Sequence, residues 1–123
     1  MPGGYLSMIP SRAPHTPQDI EEIIDLLGMM MLYSPRFIDQ SGFFLGRNVE
    51  TVFQALNEGL RLVDGDSNEV FYSDLRAMSD RMRTHFEADP DNKTDDTLKG
   101  RRLIREMTDL LIQHIRTYRQ PSV

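Results

Sequence analysis

Eight residues, Asp89-Pro90-Asp91-Asn92-Lys93-Thr94-Asp95-Asp96, crowd four carboxylates into one short stretch, the oxygen-rich setting that hard cations require. The register is wrong for a calcium loop of the EF-hand type. Lys93 occupies the fifth position, glycine is missing from the sixth, and Gly100 stands where the terminal Glu belongs. The expected role of these acids is electrostatic: they flank the start of a following helix, whose dipole favours negative charge there, and stay solvated.

A second concentration of chemistry lies in SPRFIDQSGFFLGRN, residues 34–48. Arg36 and Arg47 are able to converge on a phosphate or carboxylate, with Gly42 and Gly46 letting backbone amides approach it. The spacing is neither GxxxxGK[ST] nor GxGxxG, so no nucleotide-cradling signature supports that use. The structural reading is that Phe37, Phe43 and Phe44 pin the crossover to one end of the fold while the arginines cap nearby helix carboxyl ends.

Catalytic groupings are sparse. The three histidines, His15, His85 and His114, form neither HExxH nor paired-ligand spacing. Arg81, Arg83 and His85 stand too close together for the Arg-to-His motif of HEPN-type helical ribonucleases. No GxSxG elbow occurs, and Glu21, Glu22 and Asp25 lack the ExxH partners of a di-metal bundle. With no cysteine in the chain, disulfides, thiolate nucleophiles and Cys-based metal sites are excluded together. The expectation is a non-enzymatic protein with no cofactor and no metal.

Charge narrows the partners. Net charge is −5, with −3 over residues 1–63, −6 over 64–96 and +4 over 97–123. An acidic surface disfavours nucleic acid and suits basic protein partners. The basic run Lys99-Gly-Arg101-Arg102-Leu-Ile-Arg105 has acidic neighbours and no aromatic residues for base stacking. It is expected to pair within the molecule with the acidic third helix, and Arg102 with Glu106 and Arg105 with Asp109 are also spaced i,i+4 for modest surface support. The longest apolar run, Leu26–Leu32, is too short to span a membrane. The first residues carry neither the basic region nor the apolar core of a signal peptide. A cytoplasmic location is expected.

Helical periodicity supplies the frame. Thr16-Pro17-Gln18-Asp19 opens a first helix with Ile20, Ile23, Ile24, Leu27, Met30 and Met31 on one face, ending near Tyr33 before Pro35. Asn48 caps a second carrying Val49, Val52, Phe53, Leu56, Leu60 and Val63, stopped by Asp64-Gly65-Asp66. A third, from Ser67 or Asn68, turns Phe71, Leu75, Met78, Met82 and Phe86 inward. A fourth, about 95–118, carries Leu103, Ile104, Met107, Leu110, Leu111, Ile115 and Tyr118. Of the three methionines at 29–31, one or two must lie at the rim. The predicted fold is all-α: a compact antiparallel bundle of about four helices with a long first connection. It occupies residues 16–120 as one domain behind a flexible tail, 1–15.

SPRFIDQSGFFLGRNVETVFQALNEGL, with the later DRMRTHFEADPDNKT, resembles the small helical bacterial immunity proteins encoded beside polymorphic or contact-delivered toxins. The similarity covers roughly residues 33–115. It implies a helical inhibitor that binds its cognate toxin and blocks the active site or substrate entry. No family motif is carried over residue by residue. From chemistry alone, Asp64, Asp66, Asp89, Asp91, Asp95 and Asp96 are the expected contacts with a basic toxin cleft, and Arg36, Phe43 and Phe44 the anchors of a more apolar contact. The alternatives are a small anion- or nucleotide-binding protein using Arg36 and Arg47, and a non-catalytic regulatory subunit burying methionines in a larger assembly. Partner identity and oligomeric state stay open.

Overall fold

The computed structural model describes residues 14–38, 46–64 and 69–119. Within them lie four helices: α1 Ile20–Tyr33, α2 Val49–Asp64, α3 Glu69–Ala88 and α4 Asp96–Arg119. The helix starts follow from side-chain capping. Asp19, in extended backbone, accepts the Glu22 amide at 2.9 Å, while the Glu22 carboxylate reaches back to the Gln18 amide. Thr16, expected as the cap, instead lies upstream. The ring of Pro17 is buried against α2 rather than opening the helix, so α1 begins at Ile20 with the apolar face, three residues later than a Thr16 cap would start it. Asn48 and Thr51 cap α2 reciprocally, each side chain accepting the other's amide.

Contacts along the helices fix their directions. Pro17 abuts Gly59 while Phe37, just beyond α1, meets Phe53, so α1 and α2 run antiparallel. Asn57 meets Ser79, and Phe53 meets Phe86. Phe71 stacks on His114, and His85 bonds Asp96. Each helix therefore reverses the one before it, and α1 also packs on α4, which closes the four into a ring around one core.

The core is the sum of the four stripes, those of α1 and α3 slightly rotated from their predicted centres. Ile23, Leu27, Met30, Val52, Phe53, Leu56, Leu60, Leu75, Met82, Phe86, Leu103, Ile104, Met107 and Leu111 are buried as expected. On α1 the buried arc shifts towards Leu26, leaving Ile20, Ile24 and Met31 half-buried, and on α3 it shifts towards Tyr72 and Ser79, leaving Phe71 and Met78 at the edge. At about 100° per residue such a shift is well under one position. Leu110 falls off the edge of the α4 stripe and is exposed. Among the consecutive methionines, Met30 is inside and Met29 and Met31 sit at the rim.

Candidate functional site

Sequence order separates the two chemical stretches by about fifty residues, and antiparallel packing brings them to one end of the bundle. Arg36 spans the gap. Its Nε donates to the Pro90 carbonyl at 2.9 Å and its Nη2 to the Asp91 carboxylate. Both partners are half-exposed, so this is a surface clasp.

Asp89 organises the turn between α3 and α4. It is 3% exposed, not the solvated acid expected from its neighbours. Oδ1 accepts the amides of Lys93 and Thr94, and Oδ2 accepts the Thr97 amide and hydroxyl. Burial pushes this carboxyl up. The hydrogen bonds from the Thr97 hydroxyl and from the Lys93, Thr97 and Thr94 amides outweigh that and hold it down at about 2. Asn92 completes the reversal with φ of 54°, a conformation asparagine tolerates. Asp96 accepts from His85 Nδ1 at 2.8 Å and from the Thr94 hydroxyl, and the His85 bond in particular lowers its carboxyl. Asp95 and Lys93 are left exposed. With Asp89 spent on amides and Asp91 on Arg36, the turn's oxygens already serve protein donors.

The first connection is anchored from inside. Phe37 is fully buried, edge-on to both Phe53 and Phe86 at centroid distances of 5.8 and 5.3 Å. Its backbone sits at φ of 61°, unfavourable for a bulky residue, and the buried ring offsets that cost. Arg47 donates from Nε to the Phe37 carbonyl at 3.0 Å and lies 4.2 Å over the Tyr33 ring. Each loop arginine thus has protein partners of its own on a different segment, which is the arrangement of a fastener rather than of a shared anion cradle.

The cation at the carboxyl end of α1 comes from elsewhere. The last turn of α1 holds no basic residue. Arg101 of α4 donates from Nε to the Ser34 hydroxyl at 2.8 Å and from Nη2 to the Ser34 carbonyl. The basic run is expected to pair with acidic α3 and, at i,i+4 spacing, within α4; among the described residues it makes no ion pair with α3, and neither Arg102 with Glu106 nor Arg105 with Asp109 pairs, whereas Arg83 with Glu87 does. The available signal for Arg101 was the missing cation in α1.

The predicted contact residues therefore do not form one patch. Asp64 ends α2, on the far side of α3 from Asp89, and the 20 residues of α3 put about 30 Å between those ends. Asp66, Phe43 and Phe44 lie outside the described residues. At the Asp89 end, the apolar exposure comes from residues not predicted: Leu32 (77% exposed), Tyr33 (44%) and Ile38 (48%), with Leu98 (47%) in the first turn of α4. A separate, polar groove runs along the outside of α2 and α3, where Glu50, Gln54, Asn57 and Arg61 face Arg76 and Arg83.

Among the described residues no group of three or more His, Asp or Glu is placed to hold a metal ion, and no helix is long and apolar enough to cross a membrane. Fold and site together define an all-α four-helix bundle with a braced, charged end. Comparison with family models, with curated proteins and with solved structures finds no match to this chain.

Proposed function

We propose that this bundle is a protein-binding inhibitor of the immunity type, which neutralises a bacterial toxin by seating its braced end in a basic cleft. The observation that carries this reading is Asp89. By committing a buried carboxylate to three amides and a hydroxyl, it fixes the 89–95 turn before any partner arrives, and a pre-ordered turn loses little entropy on binding. The acids outnumber the bases locally, with Glu87, Asp89, Asp91, Asp95 and Asp96 against Lys93 and Lys99 between His85 and Lys99. Such a potential accelerates encounter with a cationic partner. Leu32, Ile38 and Leu98 at the same end provide the apolar contact that slows dissociation. Asp89 itself is a scaffold residue in this reading, and Asp91 and Asp95 are the steering acids.

The test is stopped-flow association with the toxin domain expected, on this proposal, to be encoded beside this gene. Replacing Asp91 and Asp95 with Asn is expected to slow association roughly tenfold at low salt and to leave it unchanged at high salt. Ile38→Asp should raise the dissociation rate. Unaltered kinetics for both variants, or absence of any inhibition by the parent protein, would discard the proposal.

A further inference from the structure

The groove between α2 and α3 lies on the flank of the bundle and plays no part in the function proposed above. Its lining has an excess of hydrogen-bond donors on a protein of net charge −5. Three guanidinia face it. Arg61 is spent on Glu58, whose carboxylate it holds through Nε and Nη2. Arg83 commits only Nε, to Glu87 at 3.1 Å. Arg76 is half-buried and makes no ion pair or hydrogen bond among the described residues. Asn57 contributes the fourth donor. The fully buried Ser79 hydroxyl donates to Asn57 Oδ1 at 2.6 Å, which uses the amide's acceptor side and leaves its NH2 for the groove. Of the two acids in the lining, Glu58 is held by Arg61, and Glu50 lies eight residues before it at the amino end of α2; neither carboxylate is bonded to Arg76 among the described residues.

We infer that this groove binds an acidic polypeptide segment, its carboxylates received by Arg76, Arg83 and the Asn57 amide. Arg76 and Arg83 are seven residues apart on α3, about 10.5 Å along the axis, a spacing that two carboxylates on one peptide match and a single small anion does not. Glu50 and Gln54 at one end suit a peptide that also carries backbone amides and an occasional basic side chain. A nucleic-acid strand carries no backbone N–H donors for Glu50 and Gln54, only phosphates along its length.

The full chain, labelled with nitrogen-15, is titrated with a ten-residue oligoglutamate peptide. The expected result is saturable movement of the Arg76 side-chain Nε–H and Asn57 amide signals. Arg76→Gln should weaken the affinity about tenfold, as loss of a charge-assisted bond does. Arg102→Ala, exposed on α4, serves as the control and should leave affinity unchanged. Far-UV circular dichroism confirms that each variant is folded, and Arg83→Gln provides an independent second variant with a similar loss. The inference is overturned if the peptide does not bind, if Arg102→Ala weakens it as much as Arg76→Gln, if ten millimolar inorganic phosphate displaces it completely, or if decathymidylate binds more tightly.

Discussion

Two connections meet at one end of this bundle, and opposite chemistries hold them. Residues 34–38 are fastened by an aromatic ring driven between Phe53 and Phe86, with arginines tying down the backbone outside. Residues 89–95 are fastened by one carboxylate turned inward onto amides. An apolar anchor works through burial and tolerates changes of pH and salt. A carboxylate anchor works only while ionised and while every one of its bonds is made. The difference teaches that a cluster of like residues does not share one role. Of four acids in eight positions, Asp89 is interior, Asp91 and Asp96 are engaged with Arg36 and His85, and only Asp95 faces solvent without a side-chain bond among the described residues.

The comparison is broken most forcefully at Phe37. Phe37→Ala removes a fully buried ring from a position that already bears an unfavourable backbone conformation, and is expected to cost about 3–5 kcal/mol. Urea unfolding measures it. A loss under about 1 kcal/mol would mean that the connection is held by its arginines instead. Phe37→Leu, keeping most of the apolar volume, should recover more than half the loss.

Asp89→Ala comes next, leaving three amides without their acceptor and the Thr97 hydroxyl with only the backbone carbonyl of residue 89; a fall in Tm on the order of 10 °C is expected. Its pH signature separates the two anchors. The folded-state carboxyl, at about 2, lies below its ordinary value of 3.8. The stabilisation is therefore complete above about pH 5 and is lost as pH falls through 3.8 towards 2. The parent protein should lose Tm across that window, and Asp89→Asn should lose distinctly less there. Phe37→Leu should keep the parent's acid profile. Parallel profiles for parent and Asp89→Asn would contradict the carboxylate anchor.

A smaller effect tests how α4 approaches the shared aromatic cluster. Gly100 lies inside α4, where alanine is ordinarily better by about 1 kcal/mol. A methyl there would stand 2.5 Å from Cε1 of Phe86, the ring that packs against Phe37. The clash should reverse the sign, so that Gly100→Ala destabilises by about 1–2 kcal/mol net. Combining it with Phe37→Ala opens room for the Phe86 ring to move. The double variant should then lose less than the sum of the singles.

How far these features could be read from the sequence depended on the range of the interaction. Helical periodicity and capping are local, so all four helices and most of their inward residues were legible, including the Asn48 start and the end before Asp89. The helix rotations towards Leu26 and Tyr72 were not, because they depend on which neighbour each stripe meets. Arg101 on Ser34 and Arg36 on Asp91 cross 67 and 55 residues, and only packing selects those partners over i,i+4 acids. Asp89 was missed for a different reason. An acid one residue after a helix and seven before the next reads as surface charge until the backbone reversal points it inward. The unpredicted exposure of Leu32 and Ile38 follows likewise from where the chain leaves α1.

The smallest effect sharpens the comparison furthest. Arg36 joins the two connections, yet its carboxylate bond to Asp91 is solvent-exposed, and such pairs contribute at most about 1 kcal/mol. Arg36→Met should therefore leave global stability within about 0.5 kcal/mol of the parent. If the two connections are anchored independently, by Phe37 and by Asp89, amide exchange at Lys93 and Thr94 should also be unchanged, because their acceptor is Asp89 and not Arg36. Faster exchange at those two amides alone, with stability intact, would instead make the end of the bundle one coupled unit. Preorganisation for a partner would then originate in the clasp between the loops rather than in the buried carboxylate.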